Sequence, residues 1–171
     1  MRVVAIAAVA DNGVIGSGDD MLWHIPEDFK RFKRVTTGNT IIFGRRTQDQ
    51  IGLLPNRRII VVTRDENWRH DGVEVAHSVT EALDLAAQTP ERICFVGGGA
   101  QIYREAWPYL TELDLTIVHQ SPDGAATFPY VSPDDWTEVS REQHVGYDFV
   151  QFRPTPRGEV VNTLPAEGWR A

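Results

Sequence analysis

Residues 3–9 (VVAIAAV) are almost continuously apolar, with several β-branched side chains. So short a run, with no polar alternation, reads as a strand covered on both faces. Asp11-Asn12-Gly13 breaks it, and Val14-Ile15 leads into the polar Gly16-Ser17-Gly18-Asp19-Asp20. Two glycines in that stretch mark a loop able to move. The pattern changes after Trp23. Pro26 suits a first helical turn, where a missing N–H costs nothing. Glu27 and Asp28 complement the positive end of the helix that follows. That helix is predicted to run to about residue 35, with Thr36-Thr37-Gly38-Asn39 ending it. Asp28 and Phe32, four apart, share one of its faces.

Residues 40–43 form a second predicted strand, and Gly44-Arg45-Arg46-Thr47 opens a short helix. After the turn Leu53-Leu54-Pro55-Asn56 come a third strand, 58–63, ending at Arg64-Asp65, and a short fourth, 73–76. Ser78-Val79-Thr80-Glu81 has the form of a capping box, with Ala82, Leu83 and Ala86 continuing at helical spacing. A fifth strand, 93–96, ends at Gly97-Gly98-Gly99, and a helix over 100–107 is closed by Pro108. A sixth strand covers 113–119, and 137–140 with 147–153 read as an antiparallel hairpin. The tail from Pro154 has three prolines, two glycines and few apolar residues, the make-up of an extended appendage. Strands alternate with helices, which indicates a single α/β domain with a largely parallel sheet. In such sheets ligands bind beyond the carboxyl ends of the strands.

Composition narrows the classes. The 171 residues suit one domain, 42% are apolar, and the net charge of −7 argues against general nucleic-acid binding. No apolar run approaches a membrane span, and the apolar N-terminus reaches Asp11 too soon for a signal peptide. The single cysteine, Cys94, excludes an internal disulfide and sits in the apolar run ICFVGG. A cytoplasmic location is expected. The five histidines are scattered without metal-like spacing, and there is neither a GxSxG elbow nor a Walker sequence.

The candidate chemistry lies at the strand ends. Gly97-Gly98-Gly99-Ala100-Gln101 is a strand-to-helix turn that lets backbone approach a phosphate, or simply a tight turn. Gly44-Arg45-Arg46-Thr47 repeats that design, and Thr63-Arg64 ends the next strand. Three arginines there form either an anion site or solvated surface. Two glycine turns with these arginines point to a dinucleotide with an extra phosphate, NADP rather than NAD. Asp28 either complements the helix dipole, pairs with Arg31, or serves as a ligand-binding acid. Trp23, Ile25, Phe29 and Phe32 surround it in sequence, and a carboxylate in an apolar wall needs a partner. A flat heterocycle offering two N–H donors would fit.

Six motifs in order carry a resemblance to a known family: AAVADNGVIG at 7–16, MLWHIPEDFKRFK at 21–33, IIFGRRT at 41–47, LPNR at 54–57, VGGGAQIY at 96–103 and TFP at 127–129. Over about residues 2–153 the chain resembles dihydrofolate reductase, with 154–171 left as a C-terminal extension. The resemblance implies a predominantly parallel eight-stranded sheet with an antiparallel C-terminal strand and about four helices. It implies hydride transfer from NADPH to dihydrofolate, giving tetrahydrofolate for one-carbon metabolism, with antifolates as inhibitors and a monomeric protein. Asp28 would hold the pterin and favour protonation of N5, and Trp23 would help hold a water and shape a lid at 13–22. Ile6, Ala8, Phe29, Phe32, Ile51, Leu54 and Gly97 would wall the substrate, Thr116 would support the acid, and Arg57 would pair with the glutamate carboxylate. Cofactor positions would be Ala8, Ile15, Gly16, Gly44, Arg45, Arg46, Thr47, Thr63, Arg64, Gly98, Gly99, Gln101 and Ile102, with Tyr103 beside both ligands.

The chain also departs from the family pattern. Ala125-Ala126 replaces the usual Asp-Thr, where the acid often holds the lid closed. Gly97 replaces a branched apolar residue, while Phe43 and Gln48 replace residues commonly Met and Trp. Two rival readings are the pyrimidine reductase of riboflavin synthesis, against which the Asp28 segment and Arg57 speak, and a non-catalytic binding protein on the same scaffold.

Overall fold

The computed structural model describes residues 1–16 and 23–156. Its main sheet has eight strands: β1 (Val3–Ala10), β3 (Thr40–Gly44), β4 (Arg58–Val62), β5 (Glu74–Ala76), β6 (Cys94–Val96), β7 (Glu112–Val118), β9 (Trp136–Gln143) and β10 (Tyr147–Pro154). Two further short strands, β2 (Val14–Gly16) and β8 (Ala126–Thr127), pair with each other. The main order is β5-β4-β3-β6-β1-β7-β10-β9. Every pairing from β5 to β7 is parallel, and β10 runs antiparallel to both β7 and β9. The expected sheet, with one strand opposed to the rest, is therefore present.

Apolar runs become central strands because both faces are covered. Val3, Ala5 and Val9 of β1 enter one cluster, whereas Val4 and Ile6 enter another. The first cluster packs beneath helices α3 (Val79–Ala86) and α4 (Ala100–Ala106). Phe32 and Val35 of α1 (Pro26–Thr36) pack on the second. Helix α2 (Arg45–Ile51) follows β3 directly. Ser78 caps α3 by accepting from Glu81 N–H at 3.0 Å, as its capping box predicts. Gln48 donates its side-chain amide to Gly52 O at 2.8 Å, closing the end of α2. Cys94 is fully buried, and desolvation pushes its thiol up to about 12, so it is chemically quiet.

The β2–β8 pairing is absent from the sequence-based expectation, since two or three residues carry no readable period. It matters for position: Phe128 N–H donates to Gly13 O at 2.9 Å, and Asn12 Nδ2 donates to Pro122 O at 2.8 Å. The stem of the expected lid is thus tied to the Ala125-Ala126 segment through backbone. Residues 17–22 of that lid, and 157–171 of the tail, lie outside the described residues. Among the described residues no helix is long and apolar enough to cross a membrane, and no group of three or more His, Cys, Asp or Glu could hold a metal.

Candidate active site

Asp28 enters from the first turn of α1, and the strand beneath it supplies its partner. The Thr116 hydroxyl on β7 donates to Asp28 Oδ1 at 2.5 Å. Thr116 is buried, so the acid rests on the sheet rather than in water. The alternative partner, Arg31, is taken elsewhere. Its Nη2 stands 2.7 Å from Asp114 Oδ1, and its guanidinium lies over the Phe149 ring at 4.8 Å from the centroid. Burial pushes the Asp28 carboxyl above the ordinary carboxylate range, and nearby Asp114 adds to this. The Thr116 hydroxyl and the more distant Arg31 charge oppose the rise without cancelling it.

The apolar wall is assembled from several elements. Ile6 is buried in the second cluster, with Phe32 and Leu54 packed against it. Phe29 and Ile51 stand exposed, at 44% and 42%. Ala8 is half-buried on β1. Tyr103 is buried and donates its hydroxyl to Ile6 O at 2.7 Å, and burial holds its phenol protonated far above the usual range. The Trp23 indole N–H is buried with no hydrogen-bond partner among the described residues. Such a donor is uncommon, and the Trp136 indole N–H in the first cluster is a second one.

Arg57 follows the turn after α2 and is held by the end of α1. Its Nε donates to the Thr36 hydroxyl at 3.0 Å. Nη1 donates to Pro55 O at 2.7 Å and Nη2 to Lys33 O at 2.8 Å. A guanidinium has five N–H donors, so two are left for a carboxylate fork.

The two glycine turns abut. Gly44 N–H donates to Gly98 O at 2.8 Å. A Cβ on Gly44 would stand 3.1 Å from Ile102 Cγ1, and one on Gly99 would lie 3.5 Å from Thr47 Oγ1. The helix starts behind them border a groove of about 780 Å³. Gly44, Arg45, Arg46, Thr47, Thr63, Arg64, Gly99, Gln101 and Ile102 line it. Arg45 already faces Asp65 at 3.3 Å, whereas Arg46 and Arg64 have no ion-pair partner among the described residues. Gly44 and Gly99 cap their helices with no side-chain bond, leaving backbone N–H groups for an anion. These donors and cations fit a phosphorylated dinucleotide.

Ala8, Ile15, Gly16, Gly98 and Tyr103, also expected near the cofactor, do not line this groove. Ile15 packs on the first cluster, and Gly98 is buried at φ 105° against Tyr103. The groove adds His77, Ser78, Glu105 and Tyr109, which the motifs missed. His77 and Ser78 stand just past the end of β5, so the strand-end rule that found the other turns also applies to them.

Comparison with known proteins agrees with this geometry. The dihydrofolate reductase family model matches residues 2–153. The chain is 39% identical over 160 residues to a dihydrofolate reductase of Neisseria meningitidis serogroup A, covering 89% of this chain and 98% of that one. It is 40% identical over 139 residues to a Bacillus subtilis dihydrofolate reductase, covering 81% and 82%. A solved Enterococcus faecalis dihydrofolate reductase, complexed with NADP(H) and RAB-propyl, superposes with a TM-score of 0.84 at 32% identity, covering 91% and 97%.

Proposed function

The chain belongs to the dihydrofolate reductase family, and from that premise we propose how its residues reduce 7,8-dihydrofolate with NADPH. When bound, NADPH supplies the hydride, delivered to pterin C6. The protein's part is to hold two rings face to face and govern one proton. Asp28 binds the 2-amino group and adjacent ring nitrogen of the pterin, and its raised proton affinity favours protonation at N5. Thr116 fixes the carboxylate's direction from below. The orphan N–H of Trp23 supports its reading as the residue that holds a relay water. Ile6, Ala8, Phe29, Phe32, Ile51 and Leu54 exclude solvent around the pterin and aminobenzoyl groups. Arg57 takes the glutamate carboxylate with its two remaining donors. Arg46 and Arg64 take the phosphate that distinguishes NADPH from NADH, while the Gly44 and Gly99 turns admit the pyrophosphate. Tyr103 stands behind both rings.

The observation that carries this reading is the half-buried Asp28 carboxyl, with raised proton affinity and braced by Thr116. Its chemistry needs no nucleophile. We further propose that the protein acts as a cytoplasmic monomer, with residues 154–171 as an appendage to the 1–153 domain. The decisive assay is loss of NADPH absorbance with dihydrofolate, with and without a diaminopyrimidine antifolate. Turnover that the antifolate abolishes is expected. Cofactor binding without turnover would favour a binding protein instead.

A further inference from the structure

Two side chains of α1 reach two side chains of β7. Asp28 accepts from the Thr116 hydroxyl. Arg31 Nη2 donates to Asp114 Oδ2 at 2.9 Å and stands 2.7 Å from Oδ1. Residues three apart on a helix are neighbours on its surface, and residues two apart on a strand point to one face. The acid and the arginine therefore stand side by side over one face of β7, each with its own partner there. The Arg31 and Asp114 side chains are only 12% and 9% exposed. Arg31 also lies over the Phe149 ring, and Phe149 is the residue of β10 that pairs with Thr116. The guanidinium is thus held by a carboxylate and by an aromatic face.

A buried guanidinium needs a carboxylate, and Arg31 has two within a helical turn, Asp28 and Asp114. Bound to Arg31, Asp28 would be one half of an ion pair, with its oxygens occupied and its proton affinity lowered. We propose that Asp114 is a positioning residue for Asp28: by engaging Arg31 it holds that cation off the acid and reserves Asp28 for the substrate. Asp114 acts through Arg31. As a pair the two charges offset each other at Asp28, since Arg31 lowers its proton affinity and Asp114 raises it, and burial stays the leading influence. The other ionisable groups near Asp28 do not stand in for the pair. Glu27 is exposed, and Tyr103 and Tyr147 both hold their phenol protons above the usual range. Beside Asp114, Glu112 is engaged by Arg2 at 2.7 Å. The inference rests on the reading of Asp28 as the acid of the dihydrofolate site.

The test is a charge cycle on the full chain: Asp114→Asn, Arg31→Gln and both together. The Asp28 carboxyl is followed by ¹³C NMR across pH, without substrate, in protein labelled at aspartate. Asp28 and Asp114 titrate as neighbours, so the Asp114→Asn and Asp28→Asn spectra assign the two signals. In Asp114→Asn the freed cation should lower the Asp28 midpoint by about one pH unit or more. In Arg31→Gln the midpoint should rise by about half a unit or more, and in the double variant it should lie between the two singles, near wild type. With dihydrofolate and NADPH, turnover of Asp114→Asn at pH 7 should fall about tenfold, with KM for NADPH within about twofold of wild type. A loss of Tm that leaves the Asp28 midpoint unmoved in the single variants would reduce the pair to packing and overturn the proposal. Singles that move the midpoint in the same direction would also overturn it. Wild-type protein that does not turn over dihydrofolate would sink the underlying reading, while the NMR cycle would still report on the hold of Asp114 over Arg31.

Discussion

The slot beneath α1 and the groove across α2 and α4 handle charge in opposite ways. The slot half-buries one carboxylate, which raises its proton affinity, and the one hydroxyl it offers opposes that rise without cancelling it. The groove leaves cations in water, with Arg46 and Arg64 exposed and backbone N–H groups open at two glycine turns. Burial makes a proton easy to hold; exposure makes a multiply charged ligand easy to capture and release. On the proposed function the two regions serve distinct tasks, proton control and dinucleotide binding, and substitutions should separate them cleanly.

Asp28→Asn breaks the comparison most sharply. Turnover of dihydrofolate at pH 7 should fall by roughly 10²–10⁴-fold, while NADPH affinity, measured by fluorescence titration, stays within about twofold. The converse change is Arg46→Ala with Arg64→Ala. This variant should raise KM for NADPH about 10–100-fold with kcat retained. Added salt should weaken wild-type NADPH binding more than that of the variant. A smaller effect is expected from Arg57→Leu: KM for dihydrofolate should rise about tenfold, but not for a pterin lacking the glutamate. Thr116→Val removes a bond to the charged form of Asp28. Its proton affinity should rise further, moving the pH profile of turnover by about one unit to higher pH.

Stability gives the mildest test. Asp28 has a folded-state proton affinity above the unfolded one, so its contribution is fully present below the unfolded value and is lost as pH rises through the folded value. Asp28→Asn cannot ionise, and its Asn oxygen can still accept from Thr116. Its Tm relative to wild type should be higher at pH 7 than at acid pH, measured by calorimetry. Equal Tm differences at both pH values would argue against a desolvated acid.

Much of this arrangement is legible in the chain because it is local. Pro26 with Glu27 and Asp28 announces the helix start, and glycine after each apolar strand announces the turns. What is not legible depends on contacts distant in sequence. The choice between Arg31 and a ligand as partner for Asp28 could not be made from α1 alone, because Asp114 claims Arg31 from another strand. Thr116 was expected only through family resemblance, since nothing local ties it to Asp28. The β2–β8 pairing is too short to have a period, and the fit of Phe43 into the space of Gly97 appears only when β3 and β6 lie side by side. His77 and Ser78 were readable by the strand-end rule but stand in the shadow of the stronger glycine motifs.

The central claim is that the half-buried Asp28 governs the proton side of the reaction. Its most direct test is the rate of hydride transfer at saturating NADPH, followed across pH in wild type and Asp28→Asn. A wild-type rate that falls as pH rises through the raised Asp28 value, beside a low and pH-independent rate in Asp28→Asn, is the predicted result. An Asp28→Asn protein with the wild-type rate and the wild-type pH profile would contradict it.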